Sequence, residues 1–280
     1  MAKGSVTNRT AEIQPRVRRG YFECRYGQLH VHNAIPPGGG FDEATSVICL
    51  HQFPQSGRVF LPLLARLGRD RSVYAPDLPG YGASDAPATR PALADYAAAI
   101  ADFCDSMRFR QIDVIGFHDG SLVAVELALM RPTAVRRVVC IGVPVAGEAE
   151  REQFRRSPWP AAPAADGGFL QTEWRRLMSA EGPGRSLEVA AGNLADALHA
   201  GPQASWGVSA ALQYPLRERL SQLTHSTLFV RPRDALWEST IKARELMPKA
   251  RVTDLPEVGA DAVQTAPDAV VRSLQEFLRS

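Results

Sequence analysis

The chain has 280 residues, 45% hydrophobic and 22% charged, with a net charge of +2. That composition excludes disordered and collagen-like chains and suits one sizeable core, with or without an appended lid. No RNP-like motif, zinc spacing or long basic stripe accompanies the slight positive charge, so nucleic acid is not an expected partner.

Residues 1–15, MAKGSVTNRTAEIQP, lack the apolar stretch of a signal peptide, and no run of about 18 apolar residues follows. The expectation is a soluble cytoplasmic protein with no membrane contact. The basic run QPRVRRG reads as a solvated N-terminal segment. YFECRYGQLHVHNAI reads as a hairpin turning at Tyr26 and Gly27. Short apolar runs then alternate with amphipathic ones: TSVICLH and VFLPLLARLG, SVYAPDLP and LADYAAAIADFCDSMR, IDVIGFH and LVAVELALM, then RVVCIGVPV, STLFVRP, RVTDLPEV and the closing helix AVVRSLQEFLRS. Strand and helix in alternation predict an α/β fold with a mostly parallel central sheet flanked by helices. Between Ala146 and Leu223 the strand signal vanishes, and FLQTEWRRLMSA, LEVAAGNLADALHA and SWGVSAALQY predict an inserted helical cap. The expected organisation is a core of residues 1–145 and 224–280 with a cap of residues 146–223. Cys24, Cys49, Cys104 and Cys140 lie far apart, three of them in apolar runs, as buried thiols rather than disulfides or metal ligands.

One segment concentrates the chemistry. IDVIGFHDGSL reads as a strand, a sharp turn between Gly116 and Gly120, and a helix start, with His118 displayed at the apex. Three further landmarks surround it in order: LHQFPQSGRVF, PDLPGYGASD and FVRPRDALWE. Together with IGFHDGS they resemble the α/β-hydrolase superfamily from about Gly20 onward. The resemblance implies that fold, an elbow at His118, an acid at Asp234, and an oxyanion hole from the backbone N–H groups of Phe53 and Asp119. It also shows two departures. Histidine replaces the elbow nucleophile, and the position of the family's late histidine falls on Ala260, with no histidine anywhere after His225.

An imidazole at a helix N-terminus, facing an oxyanion hole, is equipment for general-base chemistry, and the helix end is expected to lower its pKa and keep it neutral near pH 7. His118 with Asp234 as its orienting acid would act on a small apolar carbonyl or ester compound, by water activation or by cofactor-free lyase, isomerase or decarboxylase chemistry. Two alternatives stay open: a non-catalytic small-molecule binder on a degenerate scaffold, and a serine hydrolase using Ser121, which lies one helical turn after His118. Asp119 as nucleophile, in a register resembling haloalkane dehalogenases and epoxide hydrolases, would put the flanking glycines on Phe117 and Ser121. His51, Gln52, Trp159, Trp174, Trp206 and Tyr214 are candidates for the pocket wall, His51 with a structural role as its simpler reading. His30 and His32 share a strand face but show no third ligand nearby, so neither metal nor cofactor is expected. His199 reads as a cap-surface residue, His225 as a strand-edge residue and Glu148 as a cap-helix start.

Overall fold

The computed structural model describes residues 15–37, 44–157, 159, 163–179, 183 and 186–279; most of the N-terminal segment and part of the Pro/Ala-rich stretch after Ser157 lie outside these. Strands β1 (Val17–Cys24) and β2 (Gly27–Ala34) form the predicted hairpin. Its turn is Arg25 and Tyr26, one residue earlier than expected, because Gly27 already pairs with Cys24. Gly27 has φ 110°, and a Cβ there would lie 2.3 Å from the Asp85 carboxylate. Only glycine suits that position.

The remaining strands are β3 (Ala44–Leu50), β4 (Arg71–Pro76), β5 (Ile112–Phe117), β6 (Val135–Ile141), β7 (Ser226–Pro232) and β8 (Arg251–Leu255). They make one eight-stranded sheet in the order β1-β2-β4-β3-β5-β6-β7-β8, parallel from β4 to β8 and antiparallel at the β1-β2-β4 edge. Strands β4 and β5 are buried along their whole length. A strand covered on both faces has no need of an alternating polar side, and apart from Arg71, Ser72 and Asp113 at their beginnings both segments are apolar.

Helices α1 (Leu61–Leu67), α2 (Leu93–Ser106) and α3 (Asp119–Met130) follow β3, β4 and β5. Between β6 and β7 stand α4 (Glu148–Arg156), α5 (Gly168–Met178), α6 (Leu187–His199), α7 (Trp206–Gln213) and α8 (Leu216–Gln222). The chain closes with α9 (Trp237–Glu245), α10 (Ala262–Thr265) and α11 (Pro267–Arg279). Alternate residues of each strand feed two cores. Ile48, Leu50, Val114 and Cys140 face Leu122, Val125 and the α2 side chains, whereas Val47, Cys49, Ile115 and Val139 face Leu63, Leu64 and the α11 stripe of Val270, Leu274 and Phe277. Each large side chain so buried contributes roughly 1.5–3 kcal/mol. The four cysteines are free, and Cys49, Cys104 and Cys140 are buried, as expected. No helix among the described residues is long and apolar enough to cross a membrane.

Candidate active site

The sharp turn at the end of β5 is held by close approach. A Cβ at Gly116 would lie 2.4 Å from the Gly120 carbonyl oxygen, and one at Gly120 would lie 2.1 Å from the Leu50 carbonyl oxygen. Glycine at both places lets α3 start directly over the sheet. His118 occupies the apex with φ 49°, ψ −118°, a conformation that non-glycine residues rarely adopt. Its N–H donates to Ile141 O, and its carbonyl accepts from Ser121 N–H, each at 2.8 Å.

From that apex the imidazole reaches the acid. His118 Nε2 lies 2.9 Å from Asp234 Oδ2, and the Asp234 side chain is 2% exposed against 19% for His118. Asp234 stands just after β7, where its Oδ1 accepts from the Leu236 N–H at 2.8 Å. A carboxylate oxygen accepts, so Nε2 is the donor in this contact. Gly142, at φ 64°, makes the space: a Cβ there would meet His118 Cδ2 at 2.7 Å. The loop holding Gly142 is pinned from α9, where Thr240 Oγ1 accepts from the Val143 N–H at 2.8 Å and Ser239 Oγ donates to Val143 O at 2.7 Å.

Above the elbow lies a cavity of about 630 Å³. Its floor includes Gln52, Phe53, His118, Asp119, Asp234 and Ala260; its roof comes from α4, α5, α6 and α7 through Phe154, Leu177, Asn193, Val208 and Leu212, with Trp159. The helices between β6 and β7 thus cover the carboxyl ends of the strands, where open α/β sheets bind ligands. Ala260 lines the cavity, and no imidazole enters from that loop.

Asp119 changes the expected oxyanion hole. Its carboxyl is set against the Phe53 N–H and beside His118. Burial pushes it up to about 6 despite the lowering effect of His118 and of the Phe53 N–H. One of the two expected backbone donors therefore has a carboxyl of the protein itself nearby. Sequence reasoning weighed the Asp119 N–H and a nucleophile role, but not this; an acid directly after the apex was the available signal.

Several expectations need correction. Ser121 is fully buried, its Oγ donating to Gly116 O at 3.1 Å and to Gly142 O at 3.5 Å, and it is not part of the cavity wall. The first helical turn carries this hydroxyl down against the strand end rather than up towards the imidazole, so the relay through Ser121 has no geometric basis. Asp119 as an apex nucleophile also fails, since the apex is His118. Of the proposed wall residues, Gln52 and Trp159 are in place, but Trp174, Trp206, Tyr214 and His51 are not. Trp174 and Trp206 are partly exposed. Tyr214 packs inward and donates its hydroxyl to Glu126 Oε2 at 2.7 Å. His51 is fully buried, with Nδ1 donating to Gln52 O at 2.9 Å and Nε2 accepting from the Leu78 N–H at 2.8 Å. That is the structural role, and burial lowers its pKa. Wall residues missed from sequence include Asp261, just before α10, and Glu173 and Arg176 on α5.

A third potential ligand for His30 and His32 does exist: Asp77, with one ligating atom from each within 4.8 Å of the others. Its carboxylate already accepts from His30 Nδ1 at 2.8 Å, Gly57 N–H at 2.7 Å and Ala83 N–H at 2.9 Å. Asp77 is the staple of the PDLPGYGASD turn, and Gly82 is required because a Cβ there would fall 2.1 Å from Oδ2.

Residues 45–169 match the family model described as alpha/beta hydrolase fold. Among curated proteins, the 2-hydroxymuconate semialdehyde hydrolase of Pseudomonas sp. (strain CF600) is 33% identical over 84 residues, 29% of this chain and 29% of that protein. The chain therefore spans under a third of that relative's length in the match. Among solved structures, a hydrolase from Pseudomonas aeruginosa PA01 superposes with a TM-score of 0.77 at 20% identity, covering 94% of this chain and 99% of that one. The enol-lactonase from Burkholderia xenovorans LB400 does so with a TM-score of 0.76 at 16% identity, covering 93% and 100%. The sheet order, the tight elbow and these matches agree on one conclusion: this chain is an alpha/beta-hydrolase-fold protein.

Proposed function

We propose that the chain is a cofactor-independent enzyme in which His118, oriented by Asp234, is the general base acting on a small, largely apolar carbonyl or ester compound held beneath the inserted helices. The observation that carries this is the 2.9 Å contact between His118 Nε2 and the buried Asp234 carboxylate, at the floor of the cavity. Geometry of that kind fixes the tautomer and leaves Nδ1 as the basic nitrogen. Water activated by that nitrogen would attack the carbonyl directly, without an acyl-enzyme. Hydrolysis is favoured over lyase, isomerase or decarboxylase chemistry by the hydrolase and the enol-lactonase among the similar proteins.

Hydrolysis of a panel of short-chain esters and lactones tests this. His118→Ala should lower kcat by about 10²–10⁴-fold, with a smaller loss in Asp234→Asn. A fluorophosphonate probe should leave no adduct, because the Ser121 hydroxyl is sealed in the interior. An adduct on Ser121, or unaltered turnover in His118→Ala, would end the general-base reading. The second reading, a ligand binder without turnover, is favoured by one observation, the Asp119 carboxyl facing the Phe53 N–H. Its signature is a ligand affinity that His118→Ala alters with no turnover in either protein.

A further inference from the structure

We propose that Asp119 is the acid that works with His118: its carboxyl gives a proton to the oxygen that departs from the carbonyl carbon. This deepens the reading of His118 as a base and rests on it.

A base alone serves half of a hydrolysis. It makes water a nucleophile, but the alkoxide of an ordinary ester leaves well only when it receives a proton. Among the described residues four other carboxyls line the cavity, and each has a partner. Asp234 holds His118 and the Leu236 N–H, Glu173 accepts from Arg176 Nε at 2.8 Å, Glu150 from the Gly147 N–H at 3.0 Å, and Asp261 from Asn193 Nδ2 at 3.5 Å. Asp119 follows the apex directly and lines the same cavity. Its carboxyl lies near the Phe53 N–H, one of the two donors expected to receive the developing oxyanion.

That place suits one protonation state. An ionised carboxylate there repels the oxyanion, whereas a neutral carboxyl donates to it. Burial pushes Asp119 up to about 6, against the lowering effects of His118 and the Phe53 N–H. Tyr81, which also lies close to it, is held by burial well above the usual phenol range and stays neutral. Across the cavity stand Glu150, Glu173 and Arg176 on the inserted helices, Asp234 after β7 and Asp261 before α10. The step balances with no further reactant. The imidazole takes a proton from water as the water oxygen bonds to the carbonyl carbon and the carbonyl electron pair moves onto its oxygen. The bond to the departing oxygen then breaks as Asp119 protonates it, releasing an acid and an alcohol. The imidazolium returns its proton to the Asp119 carboxylate, which restores both groups.

Two esters of one acid, ethyl butyrate and 4-nitrophenyl butyrate, test the assignment on the whole chain at pH 6. Nitrophenolate leaves without a proton, and ethoxide does not. Asp119→Asn should lower kcat for the ethyl ester by about 10²-fold and alter kcat for the nitrophenyl ester by less than about threefold. In the wild type, kcat/KM for the ethyl ester should fall as pH rises through about 6, where the neutral carboxyl is lost, and Asp119→Asn should lack that fall. His118→Ala should lose both esters. An equal loss on both esters in Asp119→Asn, or no loss on the ethyl ester, would overturn the acid and leave His118 standing as the base. A wild type that turns over neither ester would overturn the general-base reading and this proposal with it.

Discussion

Asp119→Asn removes a charge from a place where the fold opposes it. Burial raises the Asp119 carboxyl from 3.8 to about 6, against the lowering effects of His118 and the Phe53 N–H. The folded chain therefore holds this proton more tightly than the unfolded chain does. The associated stability is complete below 3.8 and is lost as pH rises through about 6. At about 1.4 kcal/mol per tenfold in proton affinity the loss is about 3 kcal/mol, reduced to about 2 by the part of the side chain open to the cavity. For a chain of this size each kcal/mol moves Tm by roughly 2–4 °C. Asp119→Asn should then melt about 5 °C above the wild type near pH 8, and the difference should close towards pH 4. Differential scanning calorimetry across that range measures it. A Tm difference of opposite sign, or one independent of pH, would mean that Asp119 has a stabilising partner when ionised and would refute the account of its burial.

Gly142→Ala tests how the imidazole reaches Asp234. With φ at 64° and His118 Cδ2 at 2.7 Å from the added Cβ, it should cost about 1–2 kcal/mol in urea denaturation and abolish the downfield proton signal of a His118 Nε2–H shared with Asp234. An unchanged signal would show that the contact does not depend on that space. Arg219→Ala tests the tie between α8 and α3. Glu126 is 4% exposed and accepts from Arg219 Nη2 at 2.6 Å, Arg219 Nε at 3.0 Å and the Tyr214 hydroxyl at 2.7 Å. Losing the arginine leaves a buried carboxylate with one partner, at a cost of about 2–4 kcal/mol, whereas a loss below about 0.5 would place the pair with weak surface ion pairs.

The parts legible in the sequence are those fixed by local chemistry. STLFVRP is β7 residue for residue, and the glycines of GFHDG forecast an elbow because backbone contacts of 2.4 Å and 2.1 Å admit no Cβ there. His118 and Asp234, 116 residues apart, were paired through the resemblance, and the fold brings them together. The cavity wall was far less legible. Aromatic residues of the inserted segment looked like wall candidates, yet of the four only Trp159, in the connection after α4, lines the cavity, because which side chains reach it depends on how the segment packs. Tyr214 is drawn the other way by Glu126, a partner 88 residues distant on a helix buried on nearly every side. Asp77 escaped notice as a neighbour of His30 for the same reason: β2 and β4 are adjacent only once the sheet has formed.

The two departures from the family pattern make sense as one coupled change. The resemblance implies an imidazole, carried by the loop after the last strand, between acid and elbow. Here that loop presents Ala260 to the cavity, and His118 spans the gap from the elbow side, reaching Asp234 at 2.9 Å. Restoring either half alone should therefore fail. His118→Ser supplies a hydroxyl with no base, and Ala260→His supplies an imidazole to an acid that His118 already holds. Only the double replacement rebuilds a relay, and even then the developing oxyanion would meet the Asp119 carboxylate at the Phe53 N–H. Fluorophosphonate labelling of the introduced hydroxyl should thus be absent in both single variants, weak in the double, and strongest when Asp119→Ala is added, since a negative transition state gains from a donor only once the competing carboxylate has gone. Equal labelling with and without Asp119 would mean that its carboxyl does not compete for the hole, and would refute the account of its place beside the Phe53 N–H.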